Sequence, residues 1–297
     1  MSSFREIVNT QLRSSGVLAA IAAALDAKVS RTQMDPALAT RVEELLLALG
    51  LDSSVAGLTA DEARQVLAEI RFFVLLDNEL LSGAAKTGGW TFDNTAILGV
   101  GGDVAAGFAQ ILTYKIAPNL DGLQQRLASG AGVFLDVGVG AAGLAIAMAQ
   151  LWPTMRVVGI DPWVPSLRIA KDRVAVADLA DRIDLRELAV EQLADKDSYD
   201  LAWIPSVFLP ESSIAPACER VFRALKPGGW LLFAMAAPGK DPVAAALVRM
   251  RTTLWGGAAL APEQVQHLLV TCGFNNVRAL PSPPGSVMAA IAAQRSA

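Results

Sequence analysis

Three glycines and two aspartates concentrate the chemistry of this chain. Gly138-x-Gly140-x-x-Gly143 follows an apolar run, Val133–Val137, and leads into a helical pattern over Ala141–Leu151. Bare backbone in such a turn lets a ligand come close to the main chain. Asp161 closes the next apolar run, Arg156–Asp161, where a carboxylate can accept both hydroxyls of a ribose. These features alone fit a dinucleotide-binding enzyme. Asp136 alters the weighting. It stands at the end of the first run, just before Gly138. A carboxylate there suits a ligand carrying an ammonium group better than a pyrophosphate.

The elements that must position these residues alternate. Short apolar strands are expected at Val133–Val137, Arg156–Asp161, Ile183–Leu185, Tyr199–Ile204 and Trp230–Met235. Helices are expected at Ala141–Leu151, Pro165–Ala177, Ser213–Leu225, Asp241–Leu254 and Pro262–Cys272. Apolar strands alternating with helices imply a parallel sheet covered on both faces, with ligands outside the carboxyl ends of the strands. Val277–Leu280 and Val287–Ala293 read as two final strands. Their connection, Pro281–Gly285, is too short for a parallel crossover, so one of them must run antiparallel. Before residue 129 the pattern is helical: Gly16–Lys28, a helix opened by Asp35-Pro36 and running to Leu49, one from Thr59 to about Leu81, then Asp103–Ile116 and Leu120–Ala128. The expected fold class is α/β: a doubly wound, mostly parallel seven-stranded sheet with its last strand antiparallel (residues 129–297), preceded by an all-helical domain (residues 1–128).

Composition removes several alternatives. Of 297 residues 53% are hydrophobic and 18% charged, enough apolar matter for a large core and too much for a disordered chain. The net charge of −4 lacks the basic footprint of a nucleic-acid binder. Two cysteines and one histidine, His267, leave no disulfide framework and no cysteine- or histidine-rich metal site, so no metal is expected. The first ten residues have no signal-peptide layout, and the apolar run Gly16–Leu25 is too short to span a bilayer. The expectation is a soluble, cytoplasmic protein with no membrane partner.

Four segments, in order, resemble the class I S-adenosylmethionine-dependent methyltransferases of the small-molecule type: Leu135-Asp136-Val137-Gly138-Val139-Gly140-Ala141-Ala142-Gly143, Val158-Gly159-Ile160-Asp161-Pro162, Tyr199-Asp200-Leu201-Ala202-Trp203 and Leu225-Lys226-Pro227-Gly228-Gly229. The resemblance covers about residues 130–295 and implies S-adenosylmethionine as cofactor. It implies that Asp136 faces the methionine ammonium, that Gly138 and Gly140 meet the methionine and ribose portions, and that Asp161 holds the ribose hydroxyls. It also implies that Pro162 and Trp163 border the adenine. Where many members place an acid against the adenine amino group, this chain has Ala189 followed by Val190, a departure that leaves backbone groups or Glu191 to replace it. Asp200 and Pro227-Gly228-Gly229 are read as mainly structural.

Methyl transfer from a sulfonium is an in-line displacement, so positioning and exclusion of water supply much of the acceleration. The segment Ile204–Glu211, with Pro205 and Phe208, is expected to border the methyl group. Members with a histidine base carry it after the fourth strand, and none occurs there. Either the acceptor is already nucleophilic, or a carboxylate or tyrosine is the base; Glu211 is the best-placed acid, though it also reads as a solvated loop residue. His267 reads as a helix-surface histidine. In the loop Thr87–Asn94, Trp90 and Phe92 either meet a small-molecule substrate or anchor the loop. The helical domain is expected to supply a lid, acceptor contacts or a homodimer interface. The leading expectation is methyl transfer to a small, hydrophobic metabolite, of the kind found in secondary metabolism. Its alternatives are a S-adenosylmethionine-binding scaffold without catalysis and an NAD-dependent oxidoreductase. Asp136 and the absence of a Tyr-x-x-x-Lys pair weigh against the oxidoreductase.

Overall fold

A computed structural model describes residues 3–30, 33–83, 89–237, 241–282 and 288–296. The chain divides into two compact units, residues 1–81 and 82–297.

The first unit holds helices α1 (Phe4–Ser30), α2 (Pro36–Ala48), α3 (Asp52–Gly57) and α4 (Ala60–Leu81). α1 starts well before the expected Gly16, and α3 was not anticipated. The expected caps are in place. The Asp35 carboxylate accepts from the N–H groups of Ala37 and Leu38, with Pro36 at the first helical position. Thr59 and Glu62 form a reciprocal capping box: the Thr59 N–H donates to Glu62 at 2.8 Å, and the Glu62 N–H to the Thr59 hydroxyl at 3.2 Å. Leu25, Ala63 and Leu67 form a small core with Ile21, Val29, Val55 and Ile70 around it. The Lys28 ammonium donates to the carbonyls of Val55 and Ala56 at 3.0 and 2.7 Å, satisfying the end of α3.

The second unit begins at Ser82, so the compact body starts earlier than the expected boundary at 129. The reason is packing: α5 (Thr95–Ile111) and α6 (Leu123–Ala128) lie on the sheet and its helices. α5 also begins earlier than the expected Asp103. The side chain of Asn94 caps it by accepting from the Ala96 N–H. The glycines at 99, 101 and 102 disguise the helical period but do not interrupt it. Thr95–Asn119 is long and apolar enough to cross a membrane by length and composition. Here α5 is packed against α7 (Gly143–Leu151), where a Cβ on Gly143 would overlap the Gly102 carbonyl. Arg173 ties the same helix down, donating to the Gly99 carbonyl at 2.9 Å and pairing with Asp103 at 2.7 Å.

The strands are β1 (Val133–Val137), β2 (Arg156–Asp161), β3 (Ile183–Glu187), β4 (Tyr199–Pro205), β5 (Leu225–Ala236), β6 (Asn275–Ala279) and β7 (Met288–Gln294). They form a seven-stranded sheet in the order β3-β2-β1-β4-β5-β7-β6. β1 to β5 run parallel, while β7 is antiparallel to both its neighbours. The fold class is therefore the expected one. The connection Pro281–Gly285 lies partly outside the described residues. Alternate residues point to opposite faces. Phe134, Trp230 and Leu232 pack with α5 to α7 and with α8 (Val164–Val176). Leu135, Leu231 and Phe233 pack with α9 (Glu211–Ala224) and α11 (Pro262–Thr271), which α10 (Pro242–Leu254) separates along the chain. At the far end from the site, buried Asp200 accepts from the Val133 N–H at 2.9 Å and pairs with Lys226 at 2.6 Å, the structural role expected of it.

Candidate active site

β1 and β4 are sheet neighbours whose following connections run to opposite faces, so a crevice opens at their carboxyl ends. The turn after β1 faces that crevice. Gly138 and Gly140 adopt φ values of +68° and +53°, a region that costs any residue with a Cβ. The N–H groups of Gly138 and Val139 both donate to the Ile160 carbonyl, at 2.8 and 3.0 Å, which sews the turn to β2. A Cβ on Gly138 would come no closer than 3.8 Å to anything, its neighbour being Pro205 Cγ. A Cβ on Gly140 would meet only the Gly138 oxygen, at 3.9 Å. The space before the turn is a cradle that side chains would fill.

Two buried carboxylates flank it. Asp161 accepts through Oδ2 from the Gly140 N–H at 2.9 Å and through Oδ1 from the Trp163 N–H at 2.8 Å. Each oxygen keeps a lone pair for a further donor. Burial raises the Asp161 pKa, and the two backbone donors oppose that rise. Asp136 sits between Gly159 on β2 and Trp203 on β4 and is 3% exposed. Burial, followed by the charge of Asp161, pushes its pKa up to about 8; a backbone bond from Ala145 works the other way. No lysine or arginine pairs with Asp136 among the described residues. A buried anion without a countercharge is costly, and the deficit is that of a site whose ligand brings the cation.

Trp163, half-buried, donates its indole N–H to the Phe92 carbonyl at 2.7 Å. This bond joins the end of β2 to the loop before α5. Trp163→Phe removes the donor and strands the carbonyl, so a loss of about 1–2 kcal/mol in unfolding free energy is expected by denaturant titration. Pro162 is exposed beside it. Ala189 precedes a 3-10 turn, Val190–Gln192, and its carbonyl accepts from the Gln192 N–H at 2.9 Å. Val190 is buried in the core of the second face, so its side chain does not line the crevice.

The expected acceptor residues come together. The Trp90 ring lies 4.8 Å from Phe92 and 5.2 Å from Phe208, both edge-on, and Phe208 lies 5.5 Å from Trp255. Thr87 and Gly88 of the same loop lie outside the described residues. Backbones meet closely here: a Cβ on Gly256 would overlap the backbone of Gly89, and one on Gly257 that of Val207. Pro205, at the end of β4, connects the two halves by facing Gly138. Glu211 is not part of this assembly. It is exposed at the start of α9, on a cavity of about 200 Å³ shared with Ile214, Leu260 and Gln264. Neither tyrosine is at the crevice. Tyr199 begins β4, at its opposite end, with its hydroxyl donated to Asp195 at 2.9 Å, and Tyr114 is exposed before α6. His267 is exposed on α11.

Sequence reasoning missed Trp255, while Ser206 lies within the segment Ile204–Glu211 expected to border the methyl group. Trp255-Gly256-Gly257 repeats the pairing of tryptophan with two glycines seen at Gly88-Gly89-Trp90, a signal that was legible. Ser206 and Thr252 are fully buried, and their hydroxyls have no hydrogen-bond partner. Each such group costs about 1–3 kcal/mol while its bond is unmade.

Residues 134–229 match the family described as methyltransferase domain. Over those residues the chain carries a methyltransferase domain. The match begins in β1 and ends in the turn within β5, so it contains the glycine turn and both aspartates. Among curated relatives, the demethylmenaquinone methyltransferase of Lactiplantibacillus plantarum is 35% identical over 111 residues, 37% of this chain and 46% of that protein. The ubiquinone/menaquinone biosynthesis C-methyltransferase UbiE of Syntrophotalea carbinolica is 30% identical over 131 residues, 44% of this chain and 54% of that protein. The chain thus spans about half the length of the curated relatives it matches. Human N-acetylserotonin methyltransferase, solved with S-adenosylmethionine, shares the fold with a TM-score of 0.60 at 16% identity, covering 100% of this chain and 99% of that one. The methyltransferase domain thus agrees with the resemblance carried by the four segments.

Proposed function

We propose that this protein transfers a methyl group from S-adenosylmethionine to a small, hydrophobic acceptor, by in-line displacement and without a histidine base. The observation that carries the reading is Asp136, a buried carboxylate with no protein cation, beside a glycine turn with open space before it. The residues fit the cofactor. Asp136 would hold the ammonium, Asp161 the ribose hydroxyls and the Gly138–Gly140 backbone the chain between them, with Trp163 beside the base. Bound there, the cofactor would supply a methyl group already activated on a positive sulfur, for displacement by an acceptor's nucleophilic atom.

The chain's own residues then do three things. The tied turn fixes the donor, Pro205 sets the distance between the turn and the segment after β4, and the rings of Trp90, Phe92, Phe208 and Trp255 keep water from the acceptor. With histidine and tyrosine absent from the crevice and Glu211 on another cavity, an acceptor that already exposes a nucleophilic atom fits best. The hydrophobic ring systems in the names of both curated relatives support an apolar acceptor. The reading places the protein in the cytoplasm. It also makes the protein a homodimer through α1, on which Phe4, Ile7, Val8 and Leu12 are exposed at helical spacing. No nucleic acid or membrane is part of it.

Calorimetric titration with S-adenosylmethionine, S-adenosylhomocysteine and NAD in parallel tests the cofactor. Micromolar binding of the first two is expected, and Asp161→Ala should weaken it at least tenfold, about 1.4 kcal/mol, by removing a charged hydrogen-bond acceptor. Binding of NAD in their place would overturn the reading, and cofactor binding with no turnover across a panel of acceptors would leave a scaffold.

A further inference from the structure

Trp163 is tied at both of its ends. Its backbone N–H donates to Asp161 Oδ1 at 2.8 Å, while the other oxygen of that carboxylate accepts from the Gly140 N–H at 2.9 Å. Its indole N–H donates to the Phe92 carbonyl at 2.7 Å, across 71 residues of chain. That carbonyl belongs to residues 90–94, which form neither helix nor strand, so no ladder of their own fixes them. The stretch nevertheless carries two of the clustered rings. Phe92 is buried and meets Trp90 at 4.8 Å, Trp90 meets Phe208 at 5.2 Å, and Phe208 meets Trp255 at 5.5 Å. A series of contacts therefore runs from the Asp161 carboxylate through Trp163 and Phe92 to Phe208, in the turn that follows Pro205.

The indole bond stands where a ligand can change it. An N–H···O bond weakens steeply as it bends, so the direction of the indole decides how firmly Phe92 is held. Trp163 is half-buried, which leaves its ring neither locked in the core nor loose in solvent. A base lying on the indole and hydroxyls donated to Asp161 would each restrict that direction. We infer that Trp163 is a positioning residue that passes occupancy of the cofactor site to residues 90–94, so that bound cofactor sets Trp90 and Phe92 for the acceptor. The inference rests on the proposed S-adenosylmethionine site and adds a coupling between its two sides. A ligand shifts a segment only by contacting its states differently, and here the difference is the alignment of one hydrogen bond. Coupling of this kind is reciprocal: an acceptor held by the rings strengthens cofactor binding by the same factor. The rings exclude water best when the methyl donor is already in place.

The test is chymotryptic cleavage after Trp90 and Phe92, read by mass spectrometry with and without saturating S-adenosylhomocysteine. Cleavage there reports how often the stretch opens. In the wild type the ligand is expected to slow it by about tenfold. Trp163→Phe keeps a ring beside the base and removes the donor, so the slowing should shrink to about threefold or less. Trp163→Tyr repeats the comparison, so that one poorly folded variant does not decide it. Calorimetry sets the ligand concentration that saturates each protein. A tryptophan with a structural role alone gives another pattern: the variants are cut faster with and without ligand alike, and the ligand still slows cleavage about tenfold. That pattern would overturn the inference, as would a wild type cut equally in both conditions. Loss of S-adenosylhomocysteine binding in both variants would also overturn it, by making Trp163 a cofactor contact first. Failure of the wild type to bind S-adenosylhomocysteine would instead strike the proposed function on which the inference rests.

Discussion

Alanine at position 143 is expected to lower the unfolding free energy by about 3 kcal/mol and to loosen α5 from the sheet's first face. The added methyl has nowhere to go. It would overlap the Gly102 carbonyl, and that oxygen belongs to a helix backbone that cannot swing aside as a side chain can. Gly102 is hemmed in from its own side by Arg173 and Ala141, each within about 3 Å of where its Cβ would stand. The helices must separate, and the separation strips contacts from Leu144 and Met148 as well. Urea titration monitored by circular dichroism gives the shift in midpoint. Gly99→Ala is the control: it lies on the same helix, a Cβ there meets nothing within 4 Å, and helix propensity makes it neutral or slightly stabilising. Equal effects at the two positions would refute the steric account.

Asp136 governs the second large effect, which is one of pH. Its carboxyl is held from an ordinary 3.8 up to about 8, chiefly by burial. Between those values the folded protein keeps a proton that the unfolded chain has released. Stability must therefore fall as pH rises from about 4 to about 8, at most by about 1.4 kcal/mol per pH unit for one proton. Asp136→Asn removes that slope, so the variant should melt above the wild type at pH 8 in the absence of ligand. It should also bind S-adenosylmethionine about 100-fold more weakly, since the ammonium loses a buried counter-charge. Saturating S-adenosylmethionine should flatten the wild-type profile, because the ammonium keeps the carboxylate ionised. Thermal melts across that range, with and without ligand, read both effects. A wild-type profile that rises with pH would contradict the burial of an unpaired acid.

The sheet was the most legible part of the chain because its strands are nearly unbroken apolar runs bounded by turns. β1 and β2 fall on the expected residues, and the short link between the last strands required a reversal that β7 supplies. The site proposed for the cofactor was legible for a similar reason: Asp136, Gly138, Gly140 and Asp161 are brought together by local geometry at two strand ends. The proposed acceptor side was less so. Trp255 is distant in sequence from Trp90, and only tertiary packing brings both rings against Phe208. α5 was misread at its start because glycine lowers helical propensity, while the crossing with Gly143 makes that same residue type necessary at position 102. Glu211 shows the limit of proximity in sequence: it follows the acceptor segment directly, yet α9 turns it to a separate cavity.

The placement of β7 between β5 and β6 has a consequence for how the protein is made. Synthesis delivers β5 and β6 first, and in the finished sheet each meets β7 rather than the other. Until residues 288–294 emerge from the ribosome, β5 presents an open edge. Trp230, Leu231, Leu232 and Phe233 on that strand are destined to be fully buried. An exposed apolar edge of this kind is a template for pairing with other chains. The sheet is therefore sealed late, by a strand composed largely of alanine that slides between two neighbours already waiting for it.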